Sequence, residues 1–102
     1  MSDQTLATMK QVSAADLGGP CSPDPELCAT AAIEALRDAA GEGFRLTSLS
    51  LELASRAIGE GMVAVAIQTD KRTKAIVFAS VEARIGPAMV FSAQALFSRG
   101  AV

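Results

Sequence analysis

The chain has 102 residues, 50% of them hydrophobic and 20% charged, which suits one packed core and excludes disorder. A net charge of −2 and a pI near 5.0 offer no basic field for nucleic acid. With no Trp, no Tyr and four Phe, it also lacks platforms on which bases stack. No apolar run approaches the ~20 residues that span a bilayer. The opening MSDQTLATMKQ does not read as a secretory leader, so a cytoplasmic location is expected.

The absence of His narrows the chemistry further, because it removes Ser-His-Asp and Cys-His catalysis and most catalytic zinc. Two cysteines alone cannot build a structural zinc site, so no metal is expected. Cys28 reads as a small core residue and Cys21 as a loop thiol. A disulfide between them suits an oxidising compartment rather than the cytoplasm. Any reaction must therefore run on carboxylates, hydroxyls, backbone N–H groups and a few Lys or Arg.

In chain order, residues 1–23 form an N-terminal arm or edge strand, with Thr8–Ala14 as the strand candidate. Residues 18–23, GGPCSP, make an irregular loop. Residues 24–102 then hold one helix and an antiparallel meander. The helix spans Asp24–Ala40. Asp24 is its cap, Pro25 sits where a missing N–H costs nothing, and Gly41 is a left-handed stop. Cys28, Ala29, Ala32, Ile33, Leu36, Ala39 and Ala40 share one face at 100° per residue, with Glu26, Thr30, Glu34, Arg37 and Asp38 opposite.

After Gly41-Glu42-Gly43 the apolar period falls to two. Phe44–Ile58 reads as a strand with Leu49, Leu51 and Leu53 inward and Ser48, Ser50, Glu52 and Arg56 outward. Gly59-Glu60-Gly61 turns into Met62–Thr69, which ends at the basic stretch Asp70-Lys71-Arg72-Thr73. Ala75–Ile85 is a central strand, Gly86-Pro87 a tight turn, and Ala88–Arg99 the closing strand. Ile76, Phe78 and Val90 are expected on the far face as an apolar strip that calls for a partner, most simply a second copy.

The order of these elements resembles the hot-dog fold, in which long antiparallel strands curl around a central helix. The local match is with small acyl-CoA thioesterases. Ala29-Thr30-Ala31-Ala32-Ile33-Glu34-Ala35 resembles the family's A-T-L-A-D-E-A helix. Leu46-Thr47 through Leu53 resembles its V-T-x-x-L-x-I-x-F strand, and Gly59-Glu60-Gly61 its P-G-D turn. Lys71–Lys74 sits where the family has R-x-G-R/K, and Met89–Phe97 resembles L-V-A-x-A-x-x-x-F. The likeness covers residues 28–99.

That resemblance implies an α+β hot-dog fold, one helix on a curved antiparallel sheet of four to five strands, with the first strand shortened or lost. It implies a homo-oligomer, dimer or tetramer, with the active site between subunits. It also implies an acyl-CoA thioester as substrate or ligand, coenzyme A entering only as part of it and no separate cofactor. The family's catalytic carboxylate falls at Ile33, which cannot act as a base. Its His-Gly-Gly loop is matched only by Leu17-Gly18-Gly19, without the His and further upstream. Two uses of the fold follow, a thioesterase and a non-catalytic assembly or acyl-binding protein.

On the first reading the neighbouring Glu34 is the base and Thr30 its helper, while Lys71, Arg72 and Lys74 hold the coenzyme A phosphates. Glu34 can equally be a solvated residue paired with Arg37, Thr30 plain helix surface, and the three cations ordinary turn residues. Helix followed by meander also describes a cystatin-like interaction module. Its Gln-x-Val-x-Gly loop is absent, since Gln68 leads into Thr69-Asp70-Lys71.

Overall fold

The computed structural model describes residues 7–18, 22–54 and 58–99. It contains β1 (Ala7–Ser13), a 3-10 turn (Ala14–Leu17), α1 (Pro25–Ala40), β2 (Phe44–Leu53), β3 (Met62–Arg72), β4 (Ile76–Ile85) and β5 (Ala88–Arg99). The five strands make one antiparallel sheet in the order β1-β3-β4-β5-β2. A single helix on that sheet is the α+β architecture expected above.

One part of the expected topology is corrected. β3, β4 and β5 form a meander, but β2 does not join it through β3. It pairs with β5 at the opposite edge. Three strand spacings of ~4.8 Å separate β2 from β3, and residues 54–61 are long enough to cover them. Leu53 lies across from Phe91 and Met62 across from Ser13, so the link stays at one end of the sheet. Ile58, predicted as the last strand residue, is buried in this link at 7% exposure. Cys21, Gly19 and Arg56 lie outside the described residues.

The alternation read from the sequence reappears as burial. Val63, Val65 and Ile67 of β3, Val77, Ala79, Val81 and Ala83 of β4, and Phe91, Ala93, Ala95 and Phe97 of β5 are all buried against the helix. Cys28, Ala32, Ala35, Leu36 and Ala40 cover them from α1. The buried stripe is thus rotated from the predicted one: Ala35 is inside, while Ala29 and Ile33 are half-buried. A strip of alanines has too little contrast to set its own rotation, so contact with the sheet decides it. The helix lies chiefly over β3 and β4, and Leu49, Leu51 and Leu53 on edge strand β2 stay half-buried.

Both helix ends are closed as their sequences require. Asp24 Oδ1 accepts from the N–H groups of Glu26 at 2.9 Å and Leu27 at 3.1 Å. Gly41 takes φ 90° and ψ 178°, a positive φ with extended ψ rather than the left-handed helical stop predicted. Before the helix, the N–H of Asp24 donates to the Leu17 carbonyl at 2.9 Å, and Gly18 adopts φ 110°. A Cβ on Gly18 would stand 2.8 Å from the Asp24 nitrogen, so only glycine fits between the 3-10 turn and the helix cap.

Candidate functional site

Thr30 and Glu34, one turn apart, are both exposed on the face of α1 that points away from its own sheet. Leu27, 44% exposed, and half-buried Ile33 lie among them. The expected Glu34–Arg37 pair is not formed. Among the described residues the ion pair present is Arg84 with Glu82 at 3.2 Å. The Glu34 carboxylate is therefore free of any cation of its own chain among those residues.

Backbone donors at the start of the helix are already used. Asp24 takes the N–H groups of Glu26 and Leu27, and the N–H of Cys28 donates to the Asp24 carbonyl at 2.9 Å. An oxyanion bound there would have to displace a carboxylate. Cys28 is not a nucleophile, because burial first and the nearby Asp24 second push its thiol up to about 11. Its sulfur sits 3.8 Å from the Leu17 carbonyl, inside the core.

The basic residues are placed at the other end of the helix, and they are not in one turn as predicted. β3 runs on through Arg72, with a register shift between Thr69 and Lys71, so Lys71 and Arg72 are strand residues. The turn proper is Thr73-Lys74-Ala75, where Thr73 Oγ1 accepts from the N–H groups of Ala75 and Ile76. That hydroxyl closes the turn directly after the strand ends at Arg72.

Of the three cations, Arg72 has a defined structural task. Its Nη2 donates to the carbonyls of Ala39 at 2.6 Å and Ala40 at 3.1 Å, at the negative end of the helix dipole. Its guanidinium also lies 5.8 Å from the Phe44 ring. Lys71 and Lys74 are exposed. Arg99, which sequence reasoning did not single out, joins them. Its guanidinium is 4.7 Å from the Phe44 ring and its Nε donates to the Lys74 carbonyl at 2.9 Å. The closing strand ends beside the β3–β4 turn, and counting the hairpin register back from Gly86-Pro87 is the only sequence signal for that.

Arg72→Ala is expected to lower stability by about 1 kcal/mol, since it opens the last helical carbonyls and removes the dipole contact. Urea unfolding followed by circular dichroism reads it, and an unchanged midpoint would show that the two bonds contribute nothing.

A separate cavity of about 600 Å³ lies on the sheet face opposite the helix, across β2, β3, β4 and β5. Its floor carries short and amide side chains, Ser50, Ser80, Ser92, Gln68 and Gln94, with Glu52 and Glu82 beside them. The cavity lining is rich in acceptors and holds no lysine or arginine, so it does not suit a phosphate. Among the described residues no His, Cys, Asp or Glu cluster is arranged for a metal, and no helix is long and apolar enough to cross a membrane.

No family model and no curated protein sequence matches the chain. Solved structures do match its shape. The PaaI protein of Escherichia coli, from the phenylacetic acid degradation operon, superposes with a TM-score of 0.71 at 13% identity, covering 95% of this chain and 73% of that one. A Streptococcus mutans protein bound to acetyl-CoA gives a TM-score of 0.72 at 9% identity, covering 94% and 81%. A phenylacetic acid degradation-related protein of Ralstonia eutropha gives 0.67 at 15% identity, covering 92% and 75%. The chain has the hot-dog fold of these proteins, one helix on a curved antiparallel sheet.

Proposed function

We propose that this protein handles a small acyl-CoA thioester in a cleft between α1 of one copy and a second copy. The observation that carries the reading is the free carboxylate of Glu34. It stands beside Thr30 on the one helix face that the chain's own sheet leaves uncovered. The fold is shared with a protein bound to acetyl-CoA, and that face is the side of the helix left open to a ligand. The half-buried Leu49, Leu51 and Leu53 of edge strand β2 supply apolar surface for an acyl group or for the second copy.

In this reading Glu34 removes a proton from water, and the oxygen attacks the thioester carbonyl carbon. The carbon–sulfur bond then breaks, and the proton held by Glu34 passes to the departing coenzyme A sulfur. The products are a carboxylic acid and free coenzyme A. Thr30 holds the water or the carbonyl oxygen by its hydroxyl. Lys71 and Lys74 bind the phosphates, and Arg72 adds charge through the N–H groups not spent on Ala39 and Ala40.

A second reading, binding without turnover, is favoured by one specific observation. The N–H groups of Glu26 and Leu27 are already capped by Asp24, leaving no prepared oxyanion donors there. Calorimetric titration with coenzyme A and acyl-CoAs, run beside a thiol-release assay, separates the two. Affinity rising with acyl length supports both readings, and release of thiol selects the first. No binding at millimolar ligand sinks both. Lys71→Ala combined with Lys74→Ala is expected to weaken coenzyme A binding about tenfold in low salt. An unchanged affinity would remove the phosphate role from these lysines.

A further inference from the structure

On the sheet face away from α1, four outward side chains ring one half-buried serine. Residues paired across neighbouring strands point to the same side, as do residues two apart along a strand. Ser80 of β4 pairs with Gln68 on β3 and with Gln94 on β5, while Phe78 and Glu82 flank it along β4 itself. Ser80 is half-buried, and the four residues around it are exposed. Ser80, Gln68, Gln94 and Glu82 all line the cavity of about 600 Å³, a volume within the range of small-molecule sites. The apolar strip expected on this face is smaller than predicted. Val90 is buried at 2% and Ile76 is half-buried, which leaves Phe78, 42% exposed, as the open aromatic ring beside the cavity.

We infer that this cavity is a binding site for a neutral cyclic polyol, a pyranose sugar unit, seated over Ser80 with one face against the Phe78 ring. The charges select a neutral ligand. No lysine or arginine lines the cavity, which excludes an anion. Glu82 is matched by Arg84, whose Nε and Nη2 each donate to one of its oxygens at 3.2 Å, so no net charge is left beside Ser80 to hold a cation. Both oxygens keep lone pairs for a hydroxyl donor. Gln68 spends its Nε2 on Asp70 Oδ1 at 3.2 Å and keeps its carbonyl oxygen as an acceptor. The Ser80 hydroxyl and the Gln94 amide, each donor and acceptor, make no hydrogen bond to another described side chain.

A sugar ring carries hydroxyls around its edge and C–H groups on its faces, so it needs planar polar groups at the side and an apolar plate at one face. The ring of residues around Ser80 supplies both. Two amides and a carboxylate stand on three sides, and the aromatic ring stands on the fourth. Gln68 and Gln94 lie two strand spacings apart, ~9.6 Å between backbones, and Phe78 and Glu82 lie four residues apart, ~13 Å. Side chains rising from those positions narrow the opening to the width of one six-membered ring. The cavity continues over Ser92, between Glu52 and Glu82, toward β2, which leaves space for a substituent on the sugar.

This site lies on the sheet face opposite Glu34, and it stands or falls apart from the thioester reading. Saturation-transfer NMR is measured on the full chain with the methyl glycosides of glucose, galactose and mannose, and with open-chain sorbitol. At least one glycoside is expected to receive saturation, most strongly at the ring C–H protons that meet Phe78, with a Kd of about 1 mM. Sorbitol, with the same hydroxyls and no ring, is expected to receive none. Phe78→Ala and Gln94→Ala are each expected to weaken the glycoside about tenfold with an unchanged far-ultraviolet spectrum. Glu60→Gln, an exposed change outside the cavity lining, is expected to leave its affinity unaltered. No transfer to any of the three glycosides overturns the proposal, as does equal transfer to sorbitol. Full affinity in Phe78→Ala or Gln94→Ala overturns it as well.

Discussion

Glu34→Gln is expected to lower hydrolysis of acyl-CoA by about 100-fold or more, because an amide cannot take the proton of the attacking water. Affinity for the intact thioester should stay within about twofold, since glutamine keeps the size and hydrogen-bonding reach of the side chain. The residue is exposed and carries no internal ion pair among the described residues, so the substitution should leave folding unchanged. The measurement is thiol release under saturating acyl-CoA, with the midpoint of thermal unfolding as control. Full activity in the variant would take Glu34 out of the mechanism. Thr30→Val should then be compared, because it removes the hydroxyl while keeping the shape and separates orientation of water from proton transfer.

Phe97→Ala is expected to cost about 3–5 kcal/mol, the range for emptying a large buried aromatic site. Phe97 has no exposed surface and lies between Leu46 on β2 and Val77 on β4. A domain of this size has about 5–15 kcal/mol in total, so the loss takes much of the margin and should lower Tm by well over 10 °C. Phe78→Ala, on the exposed outer face, should change the stability of a dissociated chain by less than about 0.5 kcal/mol. Equilibrium urea unfolding of both variants at low protein concentration makes the comparison. Equal effects would mean that the sheet's two faces have been assigned the wrong way round.

Much of the fold was legible because local physics and tertiary context agree. Asp24-Pro25 and Gly41 bracket a helix by cap, ring and positive φ, and the structure begins and ends α1 there. Period-two alternation in Val63–Ile67 and Phe91–Phe97 marks the buried face because the pleat forces it. Gly86-Pro87 could only turn, and β4 and β5 meet at it. The end of β2 was less legible, since an apolar Ile58 looks the same in a strand as in a buried link.

The candidate site was legible by residue type and not by role. Thr30 and Glu34 fall on one side of the helix because the i, i+4 spacing ensures it, and burial of Cys28, Ala32, Ala35 and Leu36 turns that side outward. Arg72 reads as one of three equivalent cations in a charge run. Its engagement with Ala39 and Ala40 joins residues over thirty positions apart and depends on where β3 ends relative to α1. Arg99 at Phe44 has the same origin.

From the sequence alone came the helix, its ends, the alternation of four strands and the chemistry that a chain without histidine can perform. All of these are set by neighbours within a few residues, through dihedral preference, side-chain period and composition. Tertiary structure decided the placement of β2 beyond β5, the rotation of the alanine-rich helix and the task of Arg72. Those features depend on which strands pair and in what register, and pairing is a contest among distant segments that no local pattern resolves.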